Sequence, residues 1–150
     1  MFSNMKITIG IDGQIEEADI IKLASLGADE FFCGILPKEW TDIYGSSVST
    51  GRRTWMLEHY DDWNKLQNTI STVHNLKKKI IMAFNAPSYY EEQYPLLIDF
   101  VRKSCDLGAD ALIVSDMELL FRILELNLKV DIHISSEAGS YNSQTASLFS

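Results

Sequence analysis

Two patterns in the sequence gather residue types that can handle a proton or an anion. In Val130-Asp131-Ile132-His133-Ile134, apolar and polar side chains alternate, as in a strand whose successive residues point to opposite faces. Asp131 and His133 therefore share the face turned away from the apolar packing. An imidazole placed there is a candidate general base, and His133 is the candidate catalytic residue; a hydrogen-bonded structural histidine is the competing reading. The second pattern is Arg52-Arg53, which closes a stretch holding Gly45, Ser46, Ser47, Ser49 and Gly51. Planar guanidinium groups suit carboxylate or phosphate clamping, and a solvated basic turn is the plainer alternative.

In parallel α/β architectures, the loops after the carboxyl ends of the strands form the site. Those ends are Asp12, Cys33-Gly34, Asn85, Ser115-Asp116 and Ser135-Ser136-Glu137. Together with Arg52 and Arg53, the residues Asn85, Ser115, Asp116, Ser135 and Ser136 make up the candidate substrate-binding set. Ordinary duties compete for each: Asp116 as a helix cap, Asn85 in a turn, the serines as partners of loop backbone. The segment 34–60 has no clear apolar period and exceeds the roughly 12 to 15 residues beyond which connections are usually functional or disordered. Its aromatics Trp40, Tyr44 and Trp55 either close over the site or fix the loop to the body.

Positioning these residues falls to short apolar runs alternating with amphipathic stretches, the pattern of parallel strands joined by crossover helices. Strands are expected over 6–11, 30–33, 80–84, 111–114 and 130–134, with helices over 16–26, 62–76 and 95–107, a fourth opening at Asp116 and a fifth near the end of the chain. Trp63, Leu66, Ile70 and Val73 recur at helical spacing behind Asp61, the expected cap. Leu26-Gly27-Ala28-Asp29 returns as Leu107-Gly108-Ala109-Asp110, each glycine suiting a left-handed helix end that feeds the next strand.

Several classes of function find no support. P-loop, GxGxxG, HExxH and GxSxG signatures are missing. His59 and His74 lack a second ligand at metal spacing, so no metal site is expected here. Cys33 and Cys105 lack CxxC spacing and read as buried thiols. The net charge of −8 disfavours non-specific nucleic-acid binding, and Lys77-Lys78-Lys79 reads as a helix end meeting the macrodipole. Neither a signal peptide nor an apolar membrane span is visible, so a cytoplasmic protein without membrane contact is expected. At 46% hydrophobic and 11% aromatic residues, the 150-residue chain can bury one sizeable core.

An ordered set of motifs carries a family resemblance. It comprises Gly27-Ala28-Asp29-Glu30-Phe31-Phe32-Cys33-Gly34, Arg52-Arg53, Ile81-Met82-Ala83-Phe84-Asn85-Ala86-Pro87, Gly108-Ala109-Asp110-Ala111-Leu112-Ile113-Val114-Ser115-Asp116 and Ile132-His133-Ile134-Ser135-Ser136. In order and spacing it resembles the collagenase-like peptidase family U32, of unknown catalytic type. The resemblance implies a parallel β/α (TIM-type) barrel of which residues 1–150 hold the first five strand-helix units of a single domain, cut within the fifth helix. It also implies a peptidase acting at the carboxyl-end mouth. Some relatives instead assist hydroxylation of transfer RNA or of a quinone precursor. The cysteines that bind their iron-sulfur cluster lie beyond the region covered here, and Cys33 and Cys105 do not match them, so the cofactor is unknown. The family has no agreed catalytic residue; what carries over is regional, the strand ends together with Arg52 and Arg53.

Three readings follow: a peptide-bond hydrolase, an iron-sulfur-dependent RNA or quinone hydroxylation factor, or an inactive barrel fragment that self-associates through open sheet edges. The competing fold is a doubly wound five-stranded parallel sheet, in which the first strand would lie between the second and third.

Overall fold

The computed structural model describes residues 5–53, 58–139 and 141–149. In chain order its first elements are β1 (Thr8–Gly10), α1 (Glu17–Ser25), β2 (Glu30–Ile35), α2 (Lys38–Tyr44), β3 (His59–Tyr60) and α3 (Trp63–Asn75). Then come β4 (Lys79–Phe84), α4 (Tyr94–Asp106) after a 3-10 turn at Glu91–Gln93, β5 (Ala111–Val114), α5 (Met117–Glu125), β6 (Asp131–Ile134), a 3-10 turn at Ser136–Ala138 and α6 (Ser143–Leu148). Among the described residues these strands form one six-stranded sheet in which every pairing is parallel. Its main path runs β1-β2-β4-β5-β6, and the two-residue β3 pairs with β2 off that path.

Strand order follows chain order and β1 stands at an edge. A doubly wound sheet reverses its strand order around an interior first strand, so that alternative is set aside. The arrangement is a parallel α/β sheet consistent with part of a parallel β/α barrel.

Register divides the sheet into two faces. Phe31 of β2 pairs with Ile80 of β4, and Met82 of β4 with Leu112 of β5; these side chains are fully buried. They pack with Ile20 of α1, Leu66 and Ile70 of α3, Leu97 and Phe100 of α4, and Leu119 and Ile123 of α5. Burying an aliphatic or aromatic side chain of this size contributes about 1.5–3 kcal/mol, so this helix-covered face carries most of the stability. The opposite, inner face holds the rows Gly10-Phe32-Ile81-Ala111-Asp131 and Ala83-Ile113-His133. Asp131 and His133 thus do lie on the face opposite Ile132 and Ile134.

The repeated Leu-Gly-Ala-Asp is a structural device. Gly27 and Gly108 adopt φ of 108° and 105°, a region closed to most side chains. The aspartate that follows clips the next strand to the one before it: Ile7 N–H donates to Asp29 Oδ2 at 3.0 Å, and Ile80 N–H to Asp110 Oδ2 at 2.8 Å. The ends of α3 and α5 use Lys77 (φ 59°) and Asn127 (φ 50°) at the left-handed position.

Two expectations need correction. The cap of α3 is Asp62, not Asp61: Asp62 has the extended backbone of an N-cap and its carboxylate accepts from Lys65 N–H at 2.8 Å, whereas Asp61 lies one residue too early to reach that amide. The stretch 34–60 is not a plain loop, because α2 and β3 form within it. No described helix is long and apolar enough to cross a membrane.

Candidate functional site

At the carboxyl ends of β2, β4, β5 and β6, the inner face opens into a cleft of about 290 Å³. Its floor is Phe32, Gly34, Ala83 and Ile113; its walls include Gly51, Arg52, Arg53, His59, Asn85 and the turn Ser135-Ser136-Glu137. Small residues make room for large ones here. A Cβ on Gly10 would lie 2.6 Å from Arg53 Nη2 and 2.8 Å from the Phe32 ring. The absent side chain is what lets the Arg53 guanidinium rest over Phe32, 5.3 Å from its centroid.

The strap from Gly45 to Arg53 is held along its length. Trp40 of α2 is fully buried and donates from Nε1 to Val48 O at 2.7 Å. Thr50 donates to Ile35 O, while Tyr89 donates to Thr50 O at 2.6 Å. Arg52 N–H donates to Asn85 Oδ1 at 3.0 Å. Tyr44 reaches Glu92 O at 2.7 Å. Trp40 and Tyr44 therefore fix the strap to the body and do not close over the site; Trp55 lies outside the described residues.

His59 locks the same strap from within. Its Nε2 lies 2.8 Å from Arg53 O and 3.0 Å from Ser49 Oγ. A carbonyl only accepts, so Nε2 carries the proton. Nδ1 is buried with no hydrogen-bond partner among the described residues, and burial holds the imidazole pKa below its ordinary value.

Charge separates the two arginines. Arg52 Nε lies 3.0 Å from Glu137 Oε1, across the mouth of the cleft. Arg53, half-buried, makes no ion pair among the described residues. Cys33 points to the helix side, 3.6 Å from Met82 Sδ, and burial pushes its thiol up to about 12. It is therefore no thiolate nucleophile at neutral pH.

Of the residues singled out in the sequence, Arg52, Arg53, Asn85, Ser135 and Ser136 meet at the cleft. Ser115 stands behind them, buried, donating to Asn85 O at 3.2 Å. Asp116 caps α5, accepting from Leu119 N–H at 2.7 Å and from Tyr94 OH at 3.0 Å, outside the lining. His133 is on the inner face one pleat before Ser135, exposed and likewise outside the lining. Lys6, hydrogen-bonded at 2.8 Å, holds the Glu30 carboxyl below its usual range, helped by Thr8 and more distantly by His133. Glu137, named from the sequence among the strand ends but not in the substrate-binding set, also lines the cleft, and His59 is a cleft residue that the sequence did not single out. No group of three potential metal ligands comes together among the described residues, and Cys33 on β2 and Cys105 on α4 do not form part of one.

Comparison with known proteins adds three findings. The sequence pattern of peptidase family U32 matches residues 19–150. Among solved structures, the U32 peptidase Mk0906 is similar with a TM-score of 0.62 at 13% identity, over 95% of this chain and 53% of that one. At that identity the likeness concerns the fold, and the chain spans about half the length of that protein. No curated protein matches.

Proposed function

The chain belongs to peptidase family U32, and from that premise we propose that it forms the amino-terminal part of a parallel β/α barrel whose mouth holds a peptide for hydrolysis. The supporting observation is the Arg53 guanidinium: half-buried in the cleft, laid on Phe32 and without an ion pair among the described residues of a chain with net charge −8. A cation partly withdrawn from water and lacking a counter-charge favours an anionic ligand. The anion common to peptides is the terminal carboxylate. The substrate class is therefore a peptide with a free carboxyl terminus, gripped by Arg53 while Arg52, tied to Glu137 and Asn85, holds the mouth in shape.

Asn85, Ser135 and Ser136 supply amide and hydroxyl groups for the substrate backbone, with Ser115 supporting Asn85 from behind and Asp116 capping the adjacent α5. His133 is the base. It takes a proton from water as the oxygen adds to the peptide carbonyl and returns it to the amine as the C–N bond breaks. The test is a library of short peptides incubated with the purified protein and read by mass spectrometry. Cleavage near free carboxyl termini is expected, with suppression when those termini are amidated, and His133→Ala is expected to lower kcat by about 10²–10⁴-fold. An untouched library, together with salt-dependent RNA binding lost in Arg53→Ala, would favour the RNA-modification reading instead.

A further inference from the structure

We infer that His59 is a positioning residue for the anion site: through the hydrogen bond from Nε2 to the Arg53 carbonyl, it sets where the Arg53 guanidinium stands. The inference rests on Arg53 being the carboxylate-binding group. The ring's place is built for it. A Cβ on Gly34 would strike Nδ1, so it is the bare backbone of this glycine that clears the space the imidazole fills, while a Cβ on Gly51 would make only ordinary contact with Cε1 at 3.5 Å. The ring is only 3% exposed.

From that place a single ring nitrogen gathers the strap. Nε2 meets both Arg53 O and Ser49 Oγ, and Ser49 Oγ in turn accepts from Gly51 N–H at 3.0 Å. The Arg52-Arg53 dipeptide is thereby fixed at both ends, its first N–H by Asn85 and its last C=O by His59. Such fixation counts in binding because a pre-organised cation loses less freedom when the ligand arrives.

The arrangement holds only for a neutral ring. Protonation would place a second N–H at Nδ1, which has no acceptor among the described residues, and a second cation beside Arg53. Of the charged groups around the ring, Arg53 opposes protonation and Glu58 favours it. Arg52 and Glu137 offset one another at the mouth, and Cys33 of β2 faces the other side as a neutral thiol. A bystander histidine would gain charge in acid and tighten an anion site. A positioning histidine would release the strap and weaken it, so the two roles predict opposite signs.

The test uses N-acetylglycine, whose carboxylate stays ionised over the window, titrated by calorimetry from about pH 7.5 to about pH 4.5, a range that spans the ordinary imidazole pKa. Wild-type affinity is expected to fall in acid. His59→Gln, which keeps a donor near the Nε2 position and cannot titrate, is expected to bind like wild type at neutral pH with a flatter profile. His59→Ala is expected to lose about tenfold at every pH, the worth of one hydrogen bond of ordinary strength. Nitrogen-15 spectra of the imidazole are expected to show Nε2 protonated and Nδ1 bare, with or without ligand. Tighter wild-type binding in acid, unchanged affinity in folded His59→Ala, or a proton on Nδ1 at neutral pH would each overturn the inference and leave the carboxylate reading intact. No binding by wild type at neutral pH would remove both.

Discussion

Arg52 Nε lies 3.0 Å from Glu137 Oε1, and this contact spans the mouth of the cleft from the strap after β2 to the turn after β6. It separates two adjacent arginines of like chemistry: one is occupied by the protein's own carboxylate, and its neighbour Arg53 faces the cleft without one among the described residues.

That division predicts unequal mutants. Arg53→Gln is expected to weaken N-acetylglycine binding by about 10- to 100-fold, since charge-assisted hydrogen bonds contribute roughly 1.5–3 kcal/mol. Arg52→Gln breaks a pair whose arginine is 67% exposed, and such pairs are worth about 0–1 kcal/mol. Affinity should then change by less than about fivefold. Isothermal titration of the two variants side by side checks the contrast.

Gly34→Ala is expected to destabilise the protein by about 1–3 kcal/mol, the usual cost of forcing an extra methyl into a packed site. The added Cβ would collide with the buried His59 ring. Urea unfolding measures the loss, and His59→Ala in the same background is expected to recover part of it by vacating the space.

Stability should also fall in acid through His59. Its folded pKa is held below the ordinary 6.5 by burial, while the unfolded chain titrates near that ordinary value. Above it neither state binds the proton. Below it the unfolded chain takes up a proton that the folded ring refuses, so stability declines until the lowered folded pKa is reached. The urea midpoint of wild type is therefore expected to drop more between about pH 7.5 and about pH 5 than that of His59→Gln, with the onset near the ordinary imidazole value.

Lys77 adopts a φ of 59° just past the end of α3, where glycine is the usual residue. Lys77→Gly is expected to raise stability by about 0.5–1 kcal/mol, because the left-handed conformation is strained for a side chain. Thermal melting reads this as a higher Tm.

How far these features were legible in the sequence follows from the range of the interactions behind them. Alternation placed Asp131 and His133 on the inner face, and helical spacing of Leu66, Ile70 and Val73 marked α3, because both patterns are local. The left-handed Gly27 and Gly108 were visible for the same reason. The helix α2 was hidden because Trp40 is its one fully buried residue, too few for a period, and β3 is only two residues long. His59 stayed out of view because its setting is made by Gly34, Ser49, Gly51 and Arg53, which become its neighbours only when β3 pairs with β2. Nor did Arg52-Arg53 betray which arginine is occupied, since Glu137 lies far along the chain. Asp116 resolved to the cap that its sequence position also allowed.

Whether the Arg53 cation, without an ion pair among the described residues, is a site for a peptide's terminal carboxylate is tested most directly by titrating the protein with N-acetylglycine and, separately, with its uncharged amide. Saturable binding of the acid, at least about tenfold weaker binding of the amide and loss of that preference in Arg53→Gln are the predicted results, a tenfold ratio corresponding to about 1.4 kcal/mol. Equal affinity for acid and amide, or a preference for the acid that survives in Arg53→Gln, would contradict the account.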